Sequence, residues 1–224
     1  PNRDVIAWTA LITGYAQQGL GTESLKCFIQ MRDEGITPNA VTFTAILQAC
    51  ASLGSLEMGK EIHMEVKKMG LLGKETAFST TLMGLYADSG ALGKAQEVFY
   101  GLQTPDVFSW NTLLMAYLQH GYNEEALDYA EVMRSRGVPQ NVVSYLYRLK
   151  SCGNLHAGFK GQEIHSEILV MGLETEVFIS TSMIDMYTKC SMLIEAQTVL
   201  EKFPHRSVAL WTALISGYVD HGCG

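Results

Sequence analysis

The sequence predicts an all-α protein built from stacked helix-turn-helix repeats, and three observations support this prediction. The segment WNTLL at 110–114 returns as WTALI at Trp8 and at Trp211, at distances of 102 and 101 residues. Apolar residues within each copy are spaced three, four and seven residues apart, as on one face of a helix. No segment shows the alternation of apolar and polar residues that is typical of a β-strand. A long internal repeat with helical periodicity indicates a solenoid.

Smaller units subdivide the long repeat. A tyrosine or a cysteine recurs at one place in every copy, at Tyr15, Cys50, Tyr86, Tyr117, Cys152, Tyr187 and Tyr218. When this residue is counted as the eleventh of its unit, residues 1–224 form a single repeat array. The units are 5–39, 40–75, 76–106, 107–141, 142–176, 177–207 and a partial unit 208–224. Each complete unit has room for two helices and a turn.

The first helix of each unit is expected to begin at the first residue of that unit. Trp8, Leu11, Ile12 and Tyr15 share one helix face, so the tryptophans are predicted to be core residues. A glycine four residues after the tyrosine or cysteine is predicted to end the first helix, at Gly19, Gly54, Gly90, Gly121 and Gly222.

The second helix is expected to follow this glycine closely. Thr22 and Asn123 stand just ahead of acidic residues, so we predict that they are N-caps. The second helices share a small residue at one place, namely Ser24, Gly59, Ala95, Ala126, Gly161 and Ala196. A small residue at this place predicts close helix packing. Arg148 departs from the pattern because it occupies the apolar place of Leu113, where a long side chain either reaches solvent or pairs locally.

Composition and charge narrow the possible functions. Sixteen basic and 23 acidic residues give a formal charge of −7, which argues against a broad basic surface for nucleic acid. The five cysteines are odd in number and form no C-x-x-C pair, which favours a reducing compartment. No apolar run is long enough to span a bilayer, so no membrane association is expected. The chain begins within a repeat pattern, as a fragment of a longer array would.

Two His-x-Glu triplets, at 63–65 and 165–167, match the first half of a zinc deaminase signature. The second half, Pro-Cys-x-x-Cys, is missing. Because the triplets lie 102 residues apart, they occupy the same place on two second helices, which favours a packing role. We therefore expect no catalytic residues, no metal site and no cofactor, and the segment is predicted not to be an enzyme.

Several segments together resemble a known family. They are VFSWNTLL at 107–114 with EAL at 125–127, LGSLEMGKEIH at 53–63, MIDMYTKC at 183–190 and FPHRS at 203–207. The chain resembles a plant pentatricopeptide repeat protein of the PLS class, which alternates standard, long and short motifs. The constant 34-residue period of the tetratricopeptide repeat does not match these unit lengths. The resemblance implies a right-handed superhelical α-solenoid that binds single-stranded RNA, one base per unit.

The resemblance also implies which residues read the bases, namely the fifth and the last residue of a unit. Thr9 with Asn39 then implies adenine, and Thr80 with Asp106 implies guanine. Asn111 with Asn141 implies a pyrimidine, whereas Thr181 with Ser207 gives only a weak reading. In the long units, Thr44 with Glu75 and Leu146 with Glu176 support no base assignment. The expected target is 5′-A-N-G-Y-N-N-3′.

Two further contacts with RNA are implied by the resemblance. The second residue of each unit clamps a base, which assigns that role to Ile6, Val41, Ala77, Phe108, Val143 and Phe178. A basic residue near the end of the first helix meets the phosphates, and the matching places here hold Gln17, Ser52, Asp88, Gln119, Asn154, Lys189 and Asp220. Only Lys189 is basic, so we expect modest affinity with a weak salt dependence.

The implied function is RNA recognition within an organellar RNA-processing factor, in the chloroplast or the mitochondrion. C-to-U editing is the process expected, with chemistry supplied by another domain or a recruited enzyme. The long units are implied to bind multiple organellar RNA editing factor proteins. The alternative, favoured by the charge of −7, is a helical scaffold that binds only proteins.

Overall fold

The computed structural model describes residues 4–70, 72, 76–203 and 207–221. Within these ranges the chain forms thirteen α-helices and no β-strand. The helices are α1 Val5–Gln17, α2 Gly21–Asp33, α3 Ala40–Leu53, α4 Leu56–Lys68, α5 Thr76–Asp88, α6 Leu92–Tyr100, α7 Val107–Gln119, α8 Asn123–Ser135, α9 Val142–Asn154, α10 Gly158–Val170, α11 Val177–Lys189, α12 Leu193–Lys202 and α13 Val208–Asp220.

The odd-numbered helices are the first helices of the repeat units. Each begins at the residue that the tyrosine and cysteine spacing places first in its unit, from Val5 in α1 to Val208 in α13. The even-numbered helices complete helical hairpins, and the predicted ends Glu75 and Gly222 lie outside the described residues. The chain divides into two compact units, Pro1–Ala116 and Tyr117–Gly224, and the division falls within α7.

A left-handed residue ends the first helix of each described hairpin. Gly19, Gly54, Gly90 and Gly121 have φ between +64° and +81°, which a glycine adopts without steric cost. The same place in the fifth and sixth units holds His156 at φ +52° and Ser191 at φ +60°. The turn is therefore conserved between units even where a side chain makes its backbone conformation unfavourable.

The predicted N-caps of the second helices are wrong. The helix α2 begins at Gly21 after Leu20, and α8 begins at Asn123 after Tyr122, with no side-chain hydrogen bond at either cap. Because only one residue separates the left-handed glycine from the second helix, Thr22 and Asn123 are already helical. The Asn123 side-chain amide instead donates to the Gly121 carbonyl oxygen at 3.0 Å.

The small residues of the second helices allow the close packing that the sequence predicts. A Cβ atom on Gly59 would lie 2.1 Å from Cδ2 of Leu85, and one on Gly161 would lie 2.3 Å from Sδ of Met186. Real Cβ atoms do not approach other atoms so closely, so these helices pack against the following first helix through the missing side chain. The equivalent Ala95, Ala126 and Ala196 are buried.

Aromatic and aliphatic side chains fill the core within each compact unit. Trp8 and Trp110 are buried, and the Trp110 ring meets the Phe99 ring edge-on with centroids 4.6 Å apart. The core prediction is confirmed for these two tryptophans. Trp211 is 48% exposed, so the core prediction is not met there.

Arg148 is a buried cation with a set of acidic and amide partners. Its guanidinium donates to Glu167 through Nη1 at 2.6 Å and Nη2 at 3.1 Å, and to Oε1 of Gln140 at 2.7 Å. Oε1 of Glu131 lies 3.6 Å from Nη2. The places of Glu131 and Arg148 are held by Ile29 and Ile46 one long repeat earlier. Two places that hold apolar residues in one long repeat thus hold opposite charges in the next.

Two histidines of the second helices bind tyrosines of the following first helices. His63 Nδ1 lies 2.8 Å from Tyr86 Oη, and His165 Nδ1 lies 2.8 Å from Tyr187 Oη. These are the histidines of the His-x-Glu triplets, and their acidic partners bind arginines: Glu65 binds Arg32 and Glu167 binds Arg148. Both triplets therefore have the packing role that their repeat spacing predicts.

Replacing Arg148 tests how much its ion pairs with Glu131 and Glu167 contribute to the free energy of unfolding. Arg148→Ile should lower the free energy of unfolding by about 2–4 kcal/mol, because Glu131 and Glu167 lose a buried partner. In Glu131→Ile/Arg148→Ile, which recreates the earlier repeat, the loss should be smaller than the sum of the single losses by about 1–3 kcal/mol. Urea unfolding followed by circular dichroism measures both. Strictly additive losses would show that the two residues are not coupled.

Acidification should weaken the fold through the two buried histidines. Burial lowers the pKa of His63 and of His165 below the ordinary value, so folding favours their neutral forms. The two histidines contribute their full stabilisation of the fold when the pH is above their unfolded-state pKa. This stabilisation is lost as the pH falls from the unfolded-state pKa to the lower folded-state pKa. The urea midpoint should therefore fall on acidification below neutral pH. His63→Asn/His165→Asn should flatten this dependence, and an unchanged slope would exclude these histidines as its source.

Candidate nucleic-acid interface

The second residue of each first helix is apolar and points away from the core. Phe108 is 69% exposed and Phe178 is 73% exposed, and both stand at the beginning of their helices. The other residues predicted to clamp bases are also at least partly exposed, namely Ile6, Val41, Ala77 and Val143. Ala209 in α13 holds the same exposed place, although the sequence-based set omits it. Repeated exposure of apolar side chains at one place is typical of a ligand surface.

The first predicted base-reading pair is joined by a third side chain. Thr9 Oγ1 lies 2.8 Å from Thr42 Oγ1, and the Thr42 hydroxyl donates to Asn39 Oδ1 at 3.0 Å. Because a hydroxyl has one hydrogen, Thr9 is the donor to Thr42. Asn39 Oδ1 also accepts from the Thr42 backbone N–H, which orients the amide. Thr9, which is only 8% exposed, is left with oxygen lone pairs to accept a hydrogen bond, and the exposed Asn39 with its Nδ2 hydrogens to donate.

The second predicted pair has the same capping contact, but its two hydroxyl groups donate to other acceptors and not to each other. Ser109 donates to Asp106 Oδ1 from its hydroxyl at 2.8 Å and from its backbone N–H at 2.9 Å. The Thr80 hydroxyl donates to the Thr76 carbonyl oxygen at 2.8 Å, and its oxygen lies 3.5 Å from Ser109 Oγ. Both hydroxyl hydrogens are therefore used within the protein. Thr80 Oγ1 and Asp106 Oδ2 together offer two hydrogen-bond acceptors.

The third and fourth predicted pairs differ from these two. Asn141 has the same capping contact, because Ser144 donates to its Oδ1 from backbone and hydroxyl at 3.1 Å. Asn111 lies in the first compact unit and Asn141 in the second, so their pairing stays a prediction. Thr181 donates to the Val177 carbonyl oxygen, and Ser207 makes no side-chain capping bond.

The third residue of the following unit decides whether the last residue of a unit is held by a hydroxyl. It is a buried hydroxyl residue after three of the pairs, at Thr42, Ser109 and Ser144. It is a buried apolar residue at Phe78, Ile179 and Leu210, which follow the two long units and the weak fourth pair. These hydroxyl residues are not among the predicted site residues. Their spacing of three residues after Asn39, Asp106 and Asn141 is a capping-box signal that could have found them.

A cavity of about 360 Å³ adjoins the exposed Phe178 ring within the second compact unit. Its lining is largely apolar and includes Phe178 and Ala209, with Thr181 between them on α11. Two clamp places and a base-reading residue therefore border the same space. Lys150 of α9 also lines this cavity, which the sequence analysis did not predict.

The predicted phosphate residue, Lys189, is held in an ion pair. Its Nζ lies 2.8 Å from Asp185 Oδ2, one turn earlier on α11. Its aliphatic stem packs beside Gly153, where an added Cβ atom would meet Lys189 Cδ at 3.1 Å. The local charge is thus balanced by a carboxylate unless a ligand displaces it.

Within the described part of the chain, no helix has the length and apolar character that crossing a bilayer requires. In those same ranges, no three histidine, cysteine or acidic side chains are grouped as metal ligands would be.

Comparison with protein families decides the identity of the repeat. The PPR repeat family model matches residues 3–52 and 105–154, and the PPR repeat model matches residues 41–71 and 178–208. The chain belongs to the pentatricopeptide repeat family. The matches fall on both long repeats, and together they span more than half of the chain.

Pentatricopeptide repeat-containing proteins of Arabidopsis thaliana are similar to this chain over nearly its full length. One is 35% identical over 100% of the chain, another 33% over 98%, and a chloroplastic one 32% over 96%. The chain spans 30%, 31% and 35% of these relatives, which is about a third of their length.

Solved structures of a pentatricopeptide repeat protein share the fold. The crystal structure of PPR10 in complex with an 18-nt psaJ RNA element superposes with a TM-score of 0.84 at 21% identity, covering 99% of this chain and 34% of that one. The crystal structure of PPR10 from maize gives a TM-score of 0.61 at 17% identity, covering 99% and 37%. The predicted all-α solenoid of helix-turn-helix repeats is therefore confirmed.

The Ser109 hydroxyl, which donates to Asp106, can be removed by a single substitution. Ser109→Ala should reduce discrimination for guanine at the third nucleotide by about five- to tenfold, because Asp106 loses one of two bonds that orient it. Competition between RNAs that differ at that nucleotide measures the effect. Ser79→Ala is the matched control, since Ser79 Oγ is buried without a hydrogen-bond partner in the described residues. Equal selectivity in both variants would contradict the orienting role.

Proposed function

We propose that this chain is a sequence-specific single-stranded RNA-binding segment of a plant organellar RNA-processing factor. The observation that supports the proposal most strongly is a polar pair, oriented by a capping contact, beside an exposed apolar residue. Thr9 and Asn39 are held by Thr42, and Thr80 and Asp106 border Ser109. A base that packs on the apolar residue brings its Watson–Crick edge to the polar pair.

The polarity of the first pair is complementary to adenine. The adenine Watson–Crick edge has one donor, the N6 amino group, and one acceptor, N1. Thr9 Oγ1 is available to accept from the amino group, and Asn39 Nδ2 is available to donate to N1. Guanine would place an acceptor at the position of the amino group, so the pair should disfavour it.

The second pair is complementary to guanine for the corresponding reason. The guanine edge has two adjacent donors, N1–H and the N2 amino group. Thr80 Oγ1 and Asp106 Oδ2 are both acceptors, and the negative charge of Asp106 strengthens the bond it accepts. Adenine presents only one donor on this edge, so one acceptor would be left without a partner.

Several relatives support the wider context of this proposal. PPR10 was crystallised with an RNA element, and the relatives of this chain include chloroplastic and mitochondrial proteins. We assign this chain to the PLS class and to C-to-U editing, with no catalysis by the segment itself. Lys189 would contact a phosphate, and the long units would bind multiple organellar RNA editing factor proteins.

A protein scaffold is the second candidate function. It is favoured by apolar side chains on the second helices, since Phe159 is 88% exposed, Val170 86% and Ile194 79%. The ion pair between Lys189 and Asp185 also reduces the charge available to phosphates. On this reading the chain would bind proteins and would show no preference among RNAs.

RNA binding with the predicted preference is the decisive experiment. A labelled RNA containing 5′-AUGCUU-3′ in a uridine background should bind more tightly than one containing 5′-CUAAUU-3′. The difference should be about a hundredfold or more, since three bases are changed and each mismatched base costs about 1–3 kcal/mol. Fluorescence anisotropy measures both affinities. Equal affinities would contradict base reading, and no binding by a folded sample would favour the protein scaffold.

One variant tests the register of the proposed contacts. Asn111→Thr recreates, with Asn141, the threonine–asparagine combination of the first unit. The preference at the fourth nucleotide should then move from pyrimidine toward purine, while the first and third nucleotides keep their preferences. Anisotropy with the four RNAs that differ at the fourth nucleotide measures the shift. An unchanged preference would show that this residue does not face that base.

A further inference from the structure

Gln140 stands just before Asn141, and its side-chain amide forms two hydrogen bonds within the second compact unit. Nε2 donates to the carbonyl oxygen of Ala130 in α8 at 3.1 Å, and Oε1 accepts from Nη1 of Arg148 in α9 at 2.7 Å. Because a guanidinium can only donate and a carbonyl oxygen can only accept, both partners require the same orientation of the amide. These two hydrogen bonds, here called the Gln140 anchor, join the segment between α8 and α9 to both helices.

Arg148 is itself fixed by its surroundings, so it can serve as a rigid partner of Gln140. Its side chain is only 1% exposed, and Nη1 and Nη2 both donate to the carboxylate of Glu167 in α10. The guanidinium carbon also lies 5.5 Å from the centre of the Tyr145 ring. A bidentate pair with a carboxylate fixes the plane of a guanidinium. The direction of the hydrogen bond to Gln140 is therefore fixed as well.

Two other first helices, α3 and α7, have the asparagine or aspartate cap of α9 but a proline at the place of Gln140. Pro38 precedes Asn39, and Pro105 precedes Asp106. The proline ring fixes φ near −65°, so it restricts the backbone just ahead of the cap without any side-chain hydrogen bond. Glutamine has no such restriction of its own. In the unit that lacks the proline, the Gln140 anchor supplies a restriction at the same place.

The seventh residue of the first helix changes together with this proline. It is Ile46 in α3 and Leu113 in α7, both fully buried, whereas it is the buried Arg148 in α9. An apolar side chain cannot bind an amide, and a proline side chain has no amide to bind. The arginine thus occurs in the one of these three helices where glutamine replaces proline. This joint change indicates that Gln140 and Arg148 act as a pair.

We infer that Arg148 and Gln140 are positioning residues for Asn141 and take the place of the proline in the other two capped units. The inference rests on the proposed RNA-binding function and concerns the preference at the fourth nucleotide. Ser144 orients the Asn141 amide from the side of the helix, and the Gln140 anchor restricts the Asn141 backbone from the other side. A displaced amide binds a base less selectively, because hydrogen bonds weaken steeply with distance and angle.

Gln140→Ala tests the inference because it removes both hydrogen bonds of the anchor and leaves the cap on Asn141. Discrimination between 5′-AUGCUU-3′ and 5′-AUGAUU-3′ should fall by about three- to tenfold, the effect of one or two hydrogen bonds. Discrimination at the first nucleotide, between 5′-AUGCUU-3′ and 5′-CUGCUU-3′, should change by less than about twofold, because Thr9 and Asn39 are distant in the chain and lie in the first compact unit. Competition among the three RNAs in fluorescence anisotropy measures both values.

Gln140→Pro is the rescuing variant, since it supplies the proline of the other two capped units. In the described part of the chain, the Gln140 N–H donates no hydrogen bond to a backbone carbonyl, so proline removes none there. Discrimination at the fourth nucleotide should stay within about twofold of the native value. Glu131→Ile/Arg148→Ile removes the other partner of the anchor and should lose discrimination as Gln140→Ala does. Adding Gln140→Pro to this double variant should restore it.

Arg134→Gln is the matched control for the charge cluster. Arg134 also binds Glu131 and Glu167, but its side chain is 55% exposed and its ion pairs do not involve Gln140. Discrimination at the first and the fourth nucleotide should therefore stay native in this variant. Circular dichroism checks that every variant is folded, so that a change in preference is not a loss of structure.

The outcomes separate the positioning pair from the wider function. Native discrimination at both nucleotides in Gln140→Ala would overturn the inference and leave RNA recognition intact. An equal loss at the first and the fourth nucleotide would also overturn it, because a general weakening of the fold would then explain the loss. If the native chain discriminates at the first nucleotide but not at the fourth, Asn141 has no preference to position and the inference fails alone. No discrimination at any nucleotide would overturn the proposed function together with it.

Discussion

The asparagine or aspartate cap at the start of α3, α7 and α9 is the local constraint on which the candidate interface depends. Asn39 and Asn141 accept hydrogen bonds from the third residue of the helix that follows, and Asp106 accepts the same bonds from Ser109. This contact determines where the helix begins. It thereby exposes the second residue, buries the third and places the fifth on the same side as the second. One interaction orders the clamp, the linking hydroxyl and the base-reading residue together.

The same side chain serves both stability and recognition in this arrangement. An N-cap of asparagine or aspartate contributes about 1 kcal/mol to a helix. Capping uses only one side-chain oxygen, so Asn39 keeps its amide hydrogens and Asp106 keeps its second oxygen for a ligand. The helices α11 and α13 form without this bond because Ile179 and Leu210 are buried at the third place. Core packing replaces the cap there, and the linkage to a fifth residue is lost with it.

The charged side chains discussed above form local ion pairs and do not build a broad basic surface. Arg148 and Glu131 replace an apolar pair of the preceding long repeat, and Lys189 is paired with Asp185. These contacts neutralise both cationic groups, in a chain whose formal charge is already −7. A ligand that binds by displacing such pairs gains less from Coulomb attraction than one that meets an open basic surface. Base contacts and packing must then supply a larger share of the affinity.

Most of the fold could be predicted from sequence because the determining interactions are local or repeat exactly along the chain. The helical period around Trp8 and the recurrence of Tyr15 determine the helix starts, and Gly59 and Gly161 indicate where helices approach closely. The errors at Thr22 and Asn123 are also local. The turn after Gly19 and Gly121 is shorter than cap preferences alone suggest.

Part of the candidate site could be predicted for the same reason. The clamp places are set by position within the unit, so the exposure of Phe108 and Phe178 follows from the helix start. What only the tertiary structure decided is which polar groups meet. Thr9 is hydrogen-bonded to Thr42, which is 33 residues away in the sequence, and Arg148 to Glu167, which is 19 residues away. His156 reaches the end of α11, 33 residues away. Such contacts depend on the packing of neighbouring helices, and hydrogen-bond geometry is too sensitive to distance for residue spacing alone to specify it.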